Sequence, residues 1–360
     1  MDIIIHKKYN NIAKEHREII EENFLNSNEF SKEWFLFLEK SLPEYEPLYI
    51  IGLMNNNIVN FCTGYNIKKL DMRLYLSGIS KTIVNFLERI HLNLFKFNVV
   101  FLTNPLSNYC GIKSENYSSF NEFMEKSKRK IYRELKSASI FANNIYDEEL
   151  SENLSESGFI KIPFYPNTVL NTAYETFDSY LASLNKKKRW DVRNKIKIFN
   201  NYGAEIHMMD NKDIGDFDDI YMLYKNTSQK NDDFPNLINY SKETFCNWKD
   251  MSNAYKWIII KVKERVIGFA LLVKEENFLL FKHVGLDYKD SKECYAYFNL
   301  YYAAIKYAIE GNYQFMYCGT TTYDTKKSLG CELVETSSYI SFKSKYVQKI
   351  ITRILTRAFK

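Results

Sequence analysis

The sequence predicts a mixed α+β fold in which one unit occurs twice, each time as a mainly antiparallel sheet flanked by helices. In segment 301–335 an apolar helix ends at Gly311, and a buried strand, a Gly-Thr-Thr-Thr turn, a short helix, Gly330 and a last strand follow. Segment 131–162 repeats this order, with Gly158 in the place of Gly330. Three apolar runs between residues 256 and 284 add an antiparallel meander. The shared order of elements in the two segments indicates a duplication.

The length of 360 residues, with 46% apolar and 26% charged residues, is enough for two domains that each have their own core. We expect a degenerate N-terminal copy at 1–165 and a second, reaction-carrying copy at 166–345. A basic amphipathic helix at 346–360 completes the chain.

Hydrophobic periodicity and turn residues predict the elements of the first domain. Residues 1–47 are expected to be helical, with amphipathic stretches that end near Pro43 and Pro47. The predicted elements are helices 12–24 and 32–42, a hairpin of 48–54 and 58–64, helix 82–95, strand 98–102, helix 120–137, strand 139–145 and the short helix 148–157.

The second domain is predicted in the same way. A short helix at 177–184 is expected to continue as a basic helix through residue 199 and to end near Gly203. The further elements are strand 205–209, helices 214–228 and 242–251, and the meander strands 256–262, 266–274 and 278–284.

Several classes of protein are excluded by composition. The N-terminal run MDIIIHKK is too short for the apolar part of a signal peptide, and no apolar run approaches the roughly 18 residues of a membrane span. The six cysteines include no C-x-x-C pair, which disfavours a zinc ribbon and a disulfide framework. We therefore expect a cytoplasmic protein with reduced core cysteines and no metal.

The distribution of charge says more than the net charge of +5. The run KKKRWDVRNKIK, residues 186–197, carries seven basic residues and one acid, and the chain from Lys343 carries six basic residues and no acid. The first run is either a solvated helix face or a surface for tRNA or an acyl carrier protein. The C-terminal helix either packs on the body or makes peripheral contact with a membrane or partner. No stable DNA binding is expected.

Three stretches carry a family resemblance: FDSYLASLNKKKRWDVRNKIKIF, VIGFALLV and AIEGNYQFMYCGTTTYDTKKSLGCE. The order of meander, helix, strand, short helix, glycine and strand resembles the GNAT acyltransferase fold, and the chain resembles its two-domain, Fem-like branch. This branch includes BioF2-like and peptidoglycan-biosynthesis proteins. The matching positions are Gly311, Gly319, Tyr323, Lys326 and Gly330.

The resemblance implies tandem GNAT-like domains and the transfer of an acyl or aminoacyl group from an ester or thioester to an amine. The acceptor is expected to be a small molecule or a peptide. An alternative within the family is a transferase that takes an amino acid from aminoacyl-tRNA to a peptide or cell-wall precursor. A second alternative is a GNAT-fold binding module without catalysis.

Two residues are candidates for acid–base chemistry. His283 follows the central strand and has an ordinary pKa suited to a base, although a hydrogen-bonded histidine at a strand end is the simpler interpretation. Asp233, in the loop NDDFPNL, is placed to bind an ammonium group and accept its proton, or it serves the turn alone.

The remaining candidates are expected to bind substrate or donor. A loop of small hydroxyl residues after a buried strand often contacts ligands, and a lysine beside it can hold a phosphate or carboxylate. These candidates are Gly319, Thr320, Thr321, Tyr323, Lys326, Tyr297, Asn299, Arg189 and Arg193.

The identity of the donor depends on one departure from the family. GNAT enzymes hold the pyrophosphate of coenzyme A on a glycine-rich turn, but the corresponding turn, 285–297, has no glycine after Gly285. Acyl-CoA is therefore questionable as the co-substrate, and an acyl carrier protein or an aminoacyl-tRNA remains open. No tightly bound cofactor is expected.

Overall fold

The computed structural model describes residues 1–71, 96–230 and 240–358. Its strands are β1 (Asp2–His6), β2 (Glu46–Met54), β3 (Asn57–Asp71), β4 (Lys96–Phe101), β5 (Ile112–Ser114), β6 (Ser139–Ile145), β7 (Ile160–Pro163), β8 (Asn167–Asn171), β9 (Ala204–Asp210), β10 (Tyr255–Val262), β11 (Arg265–Lys274), β12 (Phe278–Leu286), β13 (Phe315–Gly319), β14 (Glu332–Val334) and β15 (Ser337–Phe342). Its α-helices are α1 (Lys14–Asn23), α2 (Lys32–Ser41), α3 (Phe120–Glu134), α4 (Glu148–Glu156), α5 (Phe177–Ser183), α6 (Lys186–Asn201), α7 (Asp218–Lys230), α8 (Lys242–Asn247), α9 (Tyr288–Glu293), α10 (Ala296–Glu310), α11 (Tyr323–Ser328) and α12 (Lys345–Ala358).

The chain divides by its internal contacts into two compact units. Within the described ranges, unit 1 contains residues 1–165 and 335–358, and unit 2 contains residues 166–230 and 240–334. No helix in these ranges is long and apolar enough to cross a membrane.

The sheet of unit 1 has eight strands among the described residues, in the order β1-β2-β3-β4-β6-β15-β7, with β5 beside β3. Neighbouring strands are antiparallel except β4 and β6. Asn55 and Asn56 connect β2 to β3 with positive φ angles, a conformation that asparagine adopts more readily than most residues. Helices α3 and α4 bury apolar residues such as Phe123 and Leu154 against this sheet.

The sheet of unit 2 has seven strands in the part of the chain that is described, in the order β14-β8-β13-β12-β11-β10-β9. The meander β10-β11-β12 lies at its centre, and β12 and β13 form its parallel pair. Helix α10 packs a row of buried apolar residues, including Leu300 and Ile305, on this meander. These packed layers position the end of β13.

The parallel pairing of β12 with β13 is short. It covers 278–280 on β12 and 315–317 on β13, although β12 continues for six further residues. A bulge in β12 falls in this continuation, because Phe281 and His283 oppose consecutive residues of β11 and Lys282 has no opposite residue. Helix α7 covers the strand end, where the N–H of Leu286 donates to Thr227 Oγ1 over 3.1 Å. The sheet is therefore open beside the last residues of β13.

The α+β architecture with two mainly antiparallel sheets is confirmed. The hairpin β2-β3, the meander and the repeated order of elements are present as the sequence predicts. The prediction of an entirely helical N-terminus is wrong, because Ile3, Ile4 and Ile5 form the edge strand β1 before α1 and α2. Three consecutive β-branched residues favour a strand at a sheet edge. The predicted helix 82–95 lies outside the described residues.

One further expectation is corrected, and one strand was not predicted. The predicted continuous helix 177–199 is two helices, α5 and α6. Asn185 lies between them, and its side chain caps α6 by accepting a hydrogen bond from the N–H of Lys188. Strand β15, which the sequence analysis did not predict, pairs with β6 and β7 in the sheet of unit 1. Its residues Tyr339 and Ile340 are fully buried there.

Candidate functional site

The candidate site lies at the carboxyl end of β13. Gly319 ends the strand with a φ of +82°, and Thr322 starts α11 with a φ of +53°. Thr168 Oγ1 donates to the carbonyl oxygen of Gly319 over 2.6 Å and so fixes the turn. A left-handed conformation is costly for threonine, and such residues often occur at functional sites.

Lys326 is buried directly behind this turn. Its side chain is 2% exposed, and among the described residues no carboxylate forms an ion pair with its ammonium group. The Nζ atom lies 3.8 Å from the point where a Cβ atom on Gly319 would be. Burial lowers the pKa of Lys326 to about 8, opposed by the nearby thiols of Cys318 and Cys331. Lys326 is thus a cation at pH 7 that can lose its proton in the mildly alkaline range.

Two thiols flank Lys326. Cys318 ends the buried part of β13 and Cys331 follows Gly330, and their Sγ atoms are 4.0 Å apart. Burial raises the pKa of Cys318 well above its usual value, so this thiol is neutral. The described residues include no group of three or more His, Cys, Asp or Glu side chains that could hold a metal ion. These thiols provide a polarisable surrounding for the Lys326 ammonium group.

Tyrosines of α10 connect the turn to the central strand. The hydroxyl of Tyr297 lies 2.9 Å from Thr322 Oγ1 and 3.5 Å from the hydroxyl of Tyr301. The Tyr301 ring stacks on Phe281 of β12 with a centroid distance of 4.1 Å. Burial raises the pKa of Tyr297, so it is a neutral hydrogen-bonding group. Of the predicted binding residues, the structure thus brings Tyr297 close to the Gly319 turn.

Asn299 has a different environment from the one predicted for a ligand contact. It is buried, and its Nδ2 donates to the carbonyl oxygens of Tyr295 and Cys294 over 3.0 and 3.4 Å. Tyr295 precedes α10 in a left-handed conformation with a φ of +54°. Asn299 therefore holds the strained turn that begins this helix.

The outer face of α11 lines a surface depression of about 520 Å³. Tyr323 lies in its wall and donates its hydroxyl to the carbonyl oxygen of Pro166 over 2.9 Å. Thr321 is exposed and Thr320 partly exposed at the turn. The lining residues are Pro166, Thr322, Tyr323, Asp324, Thr325, Lys327 and Leu333.

His283 follows the bulge of β12 within an aromatic cluster. Its Nε2 atom is 2.7 Å from the hydroxyl of Tyr240, and the rings of Tyr224 and Trp248 stand edge-on to it. Burial lowers the pKa of His283 well below 6.5, so the imidazole is neutral. A base with so low a pKa accepts a proton poorly. The catalytic roles of His283 and Asp233 remain predictions, and Asp233 lies outside the described residues.

The turn without glycines, which follows β12, forms the short helix α9. Asp287 caps it by accepting from the N–H of Lys289 over 3.0 Å. Arg265 binds both Asp287 and Asp290, the first over 2.6 Å. The N–H of Lys289 at this helix start is therefore bound by a carboxylate, and the nearby Arg265 is already paired.

The basic helix α6 lies beside α11. Lys188 Nζ donates to the carbonyl oxygen of Lys327 at the end of α11 over 2.8 Å. Arg189 is partly exposed, and Arg193 is exposed with its closest acid, Asp178, 4.0 Å away. Between them Trp190 has 65% of its surface exposed. The predicted basic surface thus includes an exposed aromatic ring.

Three features of the site escaped the sequence analysis. Thr322 and the pair Cys318 and Cys331 were interpreted as turn and core residues, and Trp190 was given no role. The symmetric spacing of Cys318-Gly319 and Gly330-Cys331 was the available signal for the thiol pair. No local signal distinguishes an exposed tryptophan from a buried one.

Comparison with known families and structures adds a family and a fold. The model of the FemAB-like family, described as peptidoglycan biosynthesis/recognition, matches residues 110–360. No curated protein sequence matches the chain.

Three solved structures show the fold. A FemX crystal structure is 13% identical with a TM-score of 0.63, covering 98% of this chain and 100% of that one. L-PGS from Bacillus licheniformis is 12% identical with a TM-score of 0.53, covering 89% and 95%. A tandem GNAT protein from the clavulanic acid biosynthesis pathway is 8% identical with a TM-score of 0.51, covering 87% of each chain.

Proposed function

Since this chain belongs to the FemAB-like family, we propose that it transfers an acyl or aminoacyl group from an ester or thioester to an amine. The observation that carries the proposal is the buried Lys326, which has no carboxylate partner among the described residues, beside the open end of the β12–β13 pair. A protein that only uses the fold as a scaffold has no need for a buried cation at this place.

The open strand end suits the carbonyl group of a donor. Strand N–H groups that are not paired with β13 can donate to a carbonyl oxygen as it becomes anionic. Protonated Lys326 adds a positive charge close to the same turn, where low polarity strengthens its effect. At pH 7 a lysine with a pKa of about 8 is roughly nine-tenths protonated.

The reaction joins the amine nitrogen to the carbonyl carbon and breaks the bond to the carrier. The carrier leaves with the electron pair of that bond and the proton that the amine loses. An amine with an ordinary pKa of about 10 is neutral only about one part in a thousand at pH 7, a cost of roughly 4 kcal/mol. The base that offsets this cost remains an expectation, for which Asp233 is the carboxylate candidate and His283 the weaker one.

Aminoacyl-tRNA is the donor that the surroundings of the site favour. Asp287 and Asp290 would repel the pyrophosphate of coenzyme A at the start of α9. Helix α6 offers Arg189 and Arg193 to phosphates and the exposed ring of Trp190 to a base. An acyl carrier protein, which is acidic, is the second candidate because it matches the same cations without needing the tryptophan. The acceptor is then a peptide or a cell-wall precursor.

The test is an intact-mass assay with aminoacyl-tRNA, acyl carrier protein and acyl-CoA donors, each offered with small and peptide amines. We expect transfer from aminoacyl-tRNA, and a loss of at least about tenfold in Lys326→Ala, equivalent to ~1.4 kcal/mol of transition-state stabilisation. The exposed Lys212 provides the control variant Lys212→Ala, which should keep full activity. Efficient transfer from acyl-CoA would contradict the assignment of the donor, and no transfer from any donor would contradict the enzyme itself.

A further inference from the structure

The first turns of the C-terminal helix α12 present three apolar side chains to solvent. Tyr346 is 84% exposed, Ile350 is 61% exposed and Val347 is 41% exposed. Ile350 lies three residues after Val347 and four after Tyr346, which places it beside both on one side of the helix. An amphipathic helix of a globular domain normally turns such a row toward the core.

In this part of the helix the polar residue Gln348 faces the rest of unit 1. Its Oε1 atom accepts from the N–H of Phe342 over 3.1 Å, and its Nε2 atom donates to the carbonyl oxygen of Gly158 over 3.2 Å. Both bonds anchor the first turn of α12 to the rest of unit 1. Because a glutamine holds the helix on the body, the outward direction of Tyr346, Val347 and Ile350 is fixed by specific contacts.

The charges beside the apolar row have one sign. Lys345, Lys349 and Arg353 are exposed, and α12 contains no acidic residue. Lys343, just before the helix, is also exposed. A second copy of this helix would bring like charges together, which disfavours a symmetric dimer through this face. An anionic surface that also accepts apolar side chains satisfies both features.

We propose that α12 docks the protein on the surface of an anionic phospholipid bilayer. The row of Tyr346, Val347 and Ile350 enters the boundary between headgroups and acyl chains, and the flanking cations contact lipid phosphates. Tyrosine suits this depth because its ring is apolar and its hydroxyl remains in the polar layer. The helix lies along the surface and does not span the membrane.

The test is sedimentation of the full chain, tagged at its N-terminus, with vesicles of phosphatidylcholine alone or with 30% phosphatidylglycerol. We expect at least tenfold stronger binding to the anionic vesicles, and release at high salt because the lipid attraction is screened. The double variant Tyr346→Ser/Ile350→Ser should lower binding at least tenfold. The variant Lys345→Gln/Lys349→Gln/Arg353→Gln should abolish the preference for anionic vesicles.

The control is Met222→Ser, which removes an apolar side chain that is 53% exposed on α7. It should bind vesicles like the unchanged protein, and circular dichroism should show all variants folded. Equal binding to both vesicle types, or vesicle binding that survives the double variant, would overturn the proposal. A dimer in solution that the double variant dissociates, without vesicle binding, would assign the surface to a second copy instead.

Discussion

The parallel strand pairs of the two units differ in how they end. In unit 1, β4 and β6 pair through Phe101 and Phe141, β4 ends there, and the N–H of Leu102 extends the ladder to the carbonyl oxygen of Phe141. The two phenyl rings stack at 5.1 Å and close the sheet. In unit 2, β12 continues for six residues past Leu280, the last residue that pairs with β13. The same architecture is therefore closed in one copy and open in the other.

The short helices that follow these strand pairs, α4 in unit 1 and α11 in unit 2, differ at one equivalent buried position. The N–H of Phe159 donates to Leu154 in unit 1, and the N–H of Cys331 donates to Lys326 in unit 2, each over 3.0 Å. Gly158 and Gly330, which directly precede Phe159 and Cys331, have positive φ angles of 78° and 92°. Leu154 and Lys326 are thus equivalent and both buried. A lysine in the place of a core leucine lowers stability, and this cost supports the role that we propose for Lys326.

The largest expected effect on stability comes from placing a lysine at the equivalent position of unit 1. Leu154→Lys should lower the free energy of unfolding by about 4 kcal/mol, because it removes core contacts and buries an unpaired cation. Urea denaturation measures this change, and Leu154→Met should cost less than about 1.5 kcal/mol. A loss below about 1 kcal/mol for the lysine variant would mean that unit 1 can also accommodate the cation.

The reverse exchange, Lys326→Leu, should stabilise the protein at pH 7 by up to about 3 kcal/mol. This figure follows from the pKa of Lys326, which falls from 10.5 in the unfolded chain to about 8 in the folded protein. The unfolded chain binds the proton of Lys326 more tightly than the folded protein does. The loss of stability caused by Lys326 is therefore complete below pH 8 and disappears as the pH rises toward 10.5. Denaturation of both proteins between pH 7 and 10.5 measures the difference. A constant or growing difference would show that burial of charge is not its cause.

The open end of β12 should depend on its close contact with α7. A Cβ atom on Gly285 would lie 2.6 Å from the backbone nitrogen of Tyr224 and 2.2 Å from Phe269 Cε1. Gly285→Ala should therefore lower the free energy of unfolding by about 2 kcal/mol. Gly215→Ala is the matched control, since a Cβ atom there meets open space. Equal thermal stability of the two variants would mean that α7 moves away at little cost.

The smallest effect concerns the pH dependence of transfer. With an acceptor amine whose pKa lies below 7, kcat/KM should fall above pH 8, approaching about tenfold per pH unit, as Lys326 loses its proton. The residual activity of Lys326→Ala should lack this alkaline decline. A decline that persists in the variant would assign it to another group.

Much of the fold was predictable because its signals are local. The alternating and apolar strands of the meander, the hairpin at Asn55-Asn56 and the two glycine-ended short helices follow from periodicity and turn chemistry. The placement of β15 was not predictable from its own residues. Its neighbours β6 and β7 are distant in sequence, and only tertiary packing selects them.

The site was predictable only in part for a similar reason. The resemblance pointed to Lys326, but Lys326 and Lys327 are adjacent and look equally solvated in the sequence. The structure buries the first and exposes the second, because the turn at Gly319 and the end of α11 enclose one position. The opening beside β13 depends on the bulge at Lys282, which has no sequence signature in a strand of ordinary composition.

The exposure of Trp190 gives the protein a built-in optical probe. The chain has four tryptophans, and Trp34, Trp248 and Trp257 are each 0% exposed, whereas Trp190 is 65% exposed. A soluble quencher such as acrylamide will therefore reach the indole emission of α6 first. Any ligand that covers α6 will protect this emission without a label, so occupation of the basic helix can be followed by fluorescence in the unmodified chain.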